Sequence, residues 1–267
     1  MKLTVVTAVR NAVVAGRTEK LRRCIESVHA QTCRADIEHL VVDGASTDGT
    51  LEILSDYAGR GWVRVISEKD HGVYEAMNNG LAVANGEYVL YLNSDDRFHS
   101  PRVMATALKA MERSGADYGY GDAVVSREDG RFDFYWAGAP AGLAWGLDYC
   151  HQAMMVKTAV LRKIGGFDLS YRLAADSHLK MRLLKDGIRA IHFREFVVDY
   201  SAGGLSATEG DSARREYARA ALAILGHEPY SPLPRAFRWY RLGWRGFLCA
   251  FLTRMRGGGV HDRRVGR

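Results

Sequence analysis

The chain has 267 residues, 47% of them apolar, which suits one large core or one domain with an appendage and excludes a disordered chain. No apolar run reaches the roughly 18 to 20 residues of a membrane span, and residues 2–9 are too short and too weakly flanked for a signal peptide. Cys24, Cys33, Cys150 and Cys249 have neither metal-pair spacing nor the density of a secreted framework, so a reducing, cytoplasmic setting is expected despite a net charge of +6 and its pull toward acidic partners.

The first apolar run, 3–9, reads as a strand that empties into Arg10 and Asn11. A helix after Thr18 places Leu21, Ile25 and Val28 on one face. A second strand, 37–42, runs into Asp43, Gly44 and the turn-rich stretch to Thr50, and Asp48 or Thr50 can cap a helix that turns Leu51, Leu54 and Tyr57 inward. A third strand, 62–67, runs into Asp70 and Gly72, ahead of a helix carrying Val73, Met77 and Leu81. The fourth apolar run, 88–92, ends in Asn93, Ser94, Asp95 and Asp96. Four strands alternating with helices make the first hundred residues a β-α series with a mostly parallel sheet, whose ligand sites gather at the C-terminal strand ends.

Adjacent like charges at Asp95 and Asp96 repel, and a hard cation such as Mg²⁺ or Mn²⁺ bound to a phosphorylated ligand is the usual compensation. A solvated turn is the bland alternative. Asp43, leaving a sheet, has acceptors for the N–H of uracil or guanine. Asn78, Asn79 and Gly80 are poor helix-interior residues unless they serve another purpose. Further along, His151 and Gln152 lead into the apolar run 153–156, and the Gly165–Gly166–Phe167–Asp168 turn precedes an amphipathic run from Leu179 to Leu184 that ends at Gly187. Asp176 opens that helix, where an N-cap role or the dipole-favoured ionised form of a base would both suit it. Trp136 and Trp145 offer sugar-stacking faces or core packing, and the stretch 201–208, with Ser206, reads as a loop that closes over a diphosphate or as an ordinary connection.

The tail holds the basic excess. Residues 213–267 contain twelve Arg, no Lys and three acids, a net of +9, leaving −3 on the first 212 residues. A helix over 212–225 is separated by Pro229, Pro232 and Pro234 from 236–256, where five Arg alternate with Phe, Trp and Tyr. That composition fits a helix at an anionic membrane surface, or one packed on the core with its arginines in water; nucleic-acid binding is given little weight. Residues 257–267 read as a disordered end.

The motifs TAVRNA at 7–12, VVDGASTDGT at 41–50, the run 68–96 ending in YLNSDD, and GGFD at 165–168 followed by AADSHLKMRLL resemble glycosyltransferase family 2, over about residues 1–205. They are similar to the bacterial branch that builds exopolysaccharide and lipid-linked oligosaccharides. The resemblance implies an α/β GT-A fold over 1–210, followed by the C-terminal helical extension that the tail's composition suggests over 211–267, and an inverting transfer of a sugar from a UDP, GDP or dTDP donor to a lipid-linked or glycan acceptor, with Mn²⁺ or Mg²⁺. It implies that Asp43, Asp70, Asn78 and Asp95 contact the donor, that Asp96 holds the metal and that Asp176 is the general base. The expected place is the inner face of the cell membrane, with peripheral attachment and no nucleic-acid partner. Two departures stand out: Asn93 replaces an aspartate common in relatives, and Ala175 precedes Asp176 where relatives often have Glu. Both suit an alternative, an inactive relative serving as a glycan- or membrane-binding module. A nucleotidyltransferase is disfavoured because residues 9–16 do not form a basic, Gly-rich phosphate loop.

Overall fold

The expected β-α series forms. A computed structural model describes residues 1–126, 132–135, 137–146, 148–202 and 209–228. Strands β1 (Leu3–Val9), β2 (Ile37–Asp43), β3 (Arg64–Ser67) and β4 (Tyr88–Tyr91) alternate with helices α1 (Thr18–His29), α2 (Thr50–Gly59) and α3 (Val73–Val83). They are followed by β5 (Arg97–Phe98), α4 (Val103–Ser114), β6 (Tyr118–Ser126), β7 (Phe132–Tyr135), β8 (Met154–Lys157), α5 (Thr158–Lys163), α6 (Ala175–Lys185), β9 (Ala190–Ser201) and α7 (Gly210–Leu225).

The strand order is β3-β2-β1-β4-β8-β6-β9-β5, with β7 paired to β6. The first four strands are parallel, and their register sets Val9 level with Asp43 and Asp43 level with Ser67. The loops after residues 9, 43 and 67 therefore share one edge. Beyond β4 the sheet is mixed: β8 runs antiparallel to both neighbours, and β6 and β9 are parallel. β1 and β2 are buried along their whole length because helices cover both faces. Val6, Leu40 and Val42 pack with Met77, Leu81, Leu179, Tyr217 and Ala220, whereas Leu3, Val5 and Ile37 pack with Val28, Met104 and Met111 on the other face. Helix α7 thus belongs to the same core as α6.

Local choices follow from this packing. Leu21, Ile25 and Val28 of α1 are fully buried, each contributing roughly 1.5–3 kcal/mol. In α3, Met77 and Leu81 point inward as expected, but Val73 is 38% exposed because it starts the helix at the sheet edge. Gly80 explains part of the odd composition of α3: a methyl there would press on Val6 and Val42, so glycine lets the helix lie against β1 and β2. Gly86 is tighter still, since a Cβ would lie 2.6 Å from the Leu3 carbonyl carbon and 2.8 Å from the Tyr88 oxygen. Backbone cannot swing aside as a side chain can. Gly86→Ala is therefore expected to destabilise the protein by about 3 kcal/mol, read as a lower urea midpoint; an unchanged midpoint would show that the β1–β4 pairing has slack.

Among the described residues, no helix is long and apolar enough to cross a membrane. Trp136, the loop 203–208 with Ser206, the side chain of Trp145 and the tail segment 229–267 lie outside the described residues.

Candidate active site

A cleft of about 1260 Å³ opens at the C-terminal edge of the parallel strands, lined by Asp70, Asp95, Tyr149, His151, Asp176 and Tyr200 among others. Its one wall comes from the β1 and β3 ends. Asp70 is buried to 7% exposure, and its Oδ1 accepts the Gly72 N–H at 3.0 Å. Asp43 is placed differently from expectation. It is fully buried, Oδ2 accepts the Ser46 N–H at 3.0 Å and the Ser67 hydroxyl at 2.7 Å, and Oδ1 accepts the Ser46 hydroxyl. Those bonds hold the β2 loop in shape and keep the carboxylate out of the cleft lining. The same loop is stitched to the β1 end, with the Asn11 N–H on Ser46 Oγ and the Thr47 N–H on Asn11 Oδ1. Asn78 also turns away from the cleft: its amide accepts from the Phe167 N–H and donates to the Phe167 carbonyl, both at 2.9 Å. Its purpose in the helix is to fasten the Gly165–Asp168 turn.

The floor is the Asp95–Asp96 pair. Asp95 is partly exposed and faces the cleft, while Asp96 is 2% exposed beneath it. Asp96 Oδ1 accepts the Ser201 N–H at 2.7 Å, and Oδ2 accepts from Gln152 Nε2 at 3.0 Å. Cys150 Sγ donates to the other end of that Gln152 amide, at 2.8 Å. Burial, and then the charge of Asp95, push the Asp96 carboxyl up to about 7. Among the described residues no Lys or Arg pairs with it. A buried carboxylate beside a second one, with no protein cation to balance them, fits one divalent ion. Among the described residues no cluster of three or more His, Cys, Asp or Glu could hold that ion, so Asp95 and Asp96 are the carboxylates at this point of the cleft.

Asp176, in the first turn of α6, lines the same cleft. Ala175 is fully buried in the core, so position 176 and not 175 turns to the cleft. Asp176 Oδ2 accepts from Lys180 Nζ at 3.2 Å and lies 3.3 Å from His151 Nδ1; Oδ1 lies 3.3 Å from the Tyr74 hydroxyl. Burial works against its charge, and Lys180 and then His151 overcome that, holding the carboxyl well below the usual carboxylate range. Glu216 of α7 accepts the N–H groups of Leu173 and Ala174, at 2.7 and 3.1 Å, and so caps the chain entering α6. Lys180, Asp148, Tyr74 and Glu216 do not emerge from the sequence reading. Lys180 alone had a signal: a lysine amid Leu179, Met181 and Leu183, one turn after an acid.

A profile of glycosyl transferase family 2 matches residues 4–165, more than half of the chain. The chain belongs to glycosyltransferase family 2. The matched stretch holds Asp43, Asp70, Asn78, Asp95 and Asp96, and ends ahead of Asp176. This glycosyltransferase is 33% identical over 195 residues to a PGL/p-HBAD biosynthesis glycosyltransferase of Mycobacterium tuberculosis, covering 70% of this chain and 74% of the relative. It is 28% identical over 177 residues to the glycosyltransferase GlyG of Streptococcus pneumoniae, covering 65% and 55%. Among solved structures it is similar to S. aureus TarS 1-349 in complex with UDP-GlcNAc (TM-score 0.66, 18% identity, 98% of this chain and 76% of that one). It is also similar to the mannosyltransferase PcManGT of Pyrobaculum calidifontis in complex with GDP-Man and Mn²⁺ (TM-score 0.65, 20% identity, 97% and 76%). Of a longer TarS chain it covers 46%. These likenesses establish the GT-A fold.

Proposed function

We propose that the enzyme moves one sugar, with inversion, from a nucleoside diphosphate donor to a lipid-linked or glycan acceptor. The observation that carries the reading is that two acidic centres share one cleft, one with no Lys or Arg partner among the described residues and one paired with Lys180. Inverting transfer needs both: the acceptor O–H proton goes to a carboxylate while the new C–O bond forms, and the departing diphosphate takes the electron pair of the old one. Asp176 takes the proton. Its ionised state and its place in the first turn of α6 suit a base. Asp95 and Asp70 face the donor, Asp95 toward the ribose hydroxyls, while Asp43 and Asn78 act from behind by shaping the β2 loop and the Gly165–Asp168 turn. Asp96 would hold Mn²⁺ or Mg²⁺, a charge that offsets the negative charge gathering on the leaving diphosphate. The nucleotide complexes of TarS and PcManGT support a UDP or GDP donor. The tail, Arg- and aromatic-rich over 236–256, supports an acceptor at the inner membrane surface. Residues from about 211 onward would form that attachment, anchored by α7.

The test is thermal unfolding of the purified protein with UDP, GDP, dTDP or CDP, each with and without Mn²⁺. One nucleotide is expected to raise the midpoint, and more so with metal, by an amount equivalent to about 2–3 kcal/mol at a hundredfold excess over Kd. No shift with any nucleotide would remove the donor site and leave the binding-module alternative in its place.

A further inference from the structure

Lys180 is 1% exposed, and no proton it carries is idle: Nζ lies 2.6 Å from Asp148 Oδ1, 2.8 Å from the Tyr149 carbonyl and 3.2 Å from Asp176 Oδ2. Asp148 reaches α6 at a second point, where its Oδ2 accepts the Ser177 hydroxyl at 2.6 Å. A buried ammonium is costly to desolvate, and a well-packed apolar side chain usually serves stability as well or better. The network therefore points to the carboxylate it touches. We propose that Lys180, shared between Asp148 and Asp176, is a positioning residue that keeps Asp176 ionised and aimed into the cleft, and so sets the acidic limb of the enzyme's pH–rate profile.

The inference rests on reading Asp176 as the base. Two carboxylates on one ammonium leave the trio with a net charge of −1, which moves to zero when Asp176 accepts a proton. Asp148 then still pairs the buried ammonium. A single Asp–Lys pair would behave otherwise, because protonating its carboxylate strands the cation, and such a base would be weak. The sharing thus keeps Asp176 charged at neutral pH without making it unable to take a proton. The other groups facing Asp176 do not replace this effect. Tyr74 donates from α3, His151 approaches from the turn before β8, Glu216 caps the preceding turn from α7, and Tyr135 and Tyr200 feel its charge from β7 and β9. The charge of Lys180 is the largest single influence lowering the Asp176 carboxyl, followed by the hydrogen bond and the charge of His151.

The experiment compares kcat from about pH 5 to 9 for the full-length wild type, Lys180→Met, Asp148→Asn and the double variant Lys180→Met/Asp148→Asn, each checked for a cooperative melt. Without Lys180 the Asp176 carboxyl rises, is protonated as pH falls, and no longer serves as base. With nucleotide sugar and Mn²⁺ saturating, the ratio of Lys180→Met to wild-type kcat, in which any titration of Asp96 common to both cancels, is expected to fall at least about tenfold between pH 8.5 and 5.5, which places the variant's acidic limb at about pH 6.5 or above. The double variant lacks the second buried carboxylate, so it folds if Lys180→Met does not, and it is expected to show the same moved limb. Asp148→Asn is expected to lower kcat several-fold with no new limb. A pH-independent loss in both Lys180 variants would overturn the proposal. Carbon-13 NMR of the Asp carboxyls in wild type supplies a reading that needs no folded Lys180 variant: a resonance absent from Asp176→Asn that titrates in the ordinary carboxylate range would overturn it too. Failure of the underlying reading looks different, because Asp176→Asn would then keep most of its kcat.

Discussion

Asp176→Asn is expected to lower kcat by about 10³-fold, the usual worth of a general base, while the midpoint shift produced by nucleotide and Mn²⁺ stays as in wild type. Asparagine matches the shape of aspartate and can still accept from Tyr74 or Lys180, and Lys180 keeps Asp148 and the Tyr149 carbonyl. The fold should survive. What is lost is a charge able to take a proton from the acceptor hydroxyl. Asp70 and Asp95 line the cleft from other elements and Asp96 lies buried beside Asp95, so on the proposed reading donor binding and chemistry separate in this variant. Initial rates with the responding nucleotide sugar, alongside nucleotide titration, make the comparison. A kcat within tenfold of wild type would move the base elsewhere, with His151, which lines the cleft, the first candidate, since its Nε2 has no hydrogen-bond partner among the described residues.

Asp96→Asn is expected to do two opposed things: raise the unfolding midpoint of the nucleotide-free protein near pH 8 and abolish the metal-dependent part of the nucleotide shift. Burial pushes the Asp96 carboxyl up to about 7. A group raised in the folded state favours folding most at low pH and loses that contribution as pH climbs through its folded value. Above about pH 7 the wild type therefore carries a buried charge at a cost, which we set at about 2 kcal/mol after relaxation. Asparagine removes the charge. It keeps the Ser201 bond, and its NH₂ can meet Gln152 once that amide turns over. The gain is expected to shrink toward pH 5, where Asp96 is already mostly neutral. A lower midpoint at pH 8 would mean that Asp96 is not the uncompensated charge it resembles. Tolerating such a charge is a stability cost that a cation-holding site would repay in function.

Much of the scaffold was legible because the parallel half of the sheet is built from local signals. The apolar runs at 3–9, 37–42 and 88–92 are buried strands, and each announces its end with a polar residue. The helix faces of α1 and α2 followed from spacing at Leu21, Ile25, Leu54 and Tyr57. Asp95 and Asp96 could be singled out for the same reason, standing where an apolar pattern stops, whereas Asp176 opens an amphipathic run and was picked out by the family resemblance. Asp43 and Asn78 show the limit of that logic. A polar residue at a strand end or in a helix has two directions to satisfy its hydrogen bonds, and both of these satisfied them inward, on Ser46, Ser67 and Phe167.

By itself, then, the sequence determined the alternation of strands and helices, the edge on which ligands gather, and the acids that stand there, since each is a matter of near neighbours along the chain. Tertiary structure alone decided the charge state of those acids. Asp148 and Lys180 are 32 residues apart, Gln152 and Asp96 are 56 apart, and Glu216 caps a turn 42 residues away. A carboxylate's tendency to hold or release a proton depends on which charges and N–H groups lie within a few ångströms of it, and only the folded chain brings those groups together.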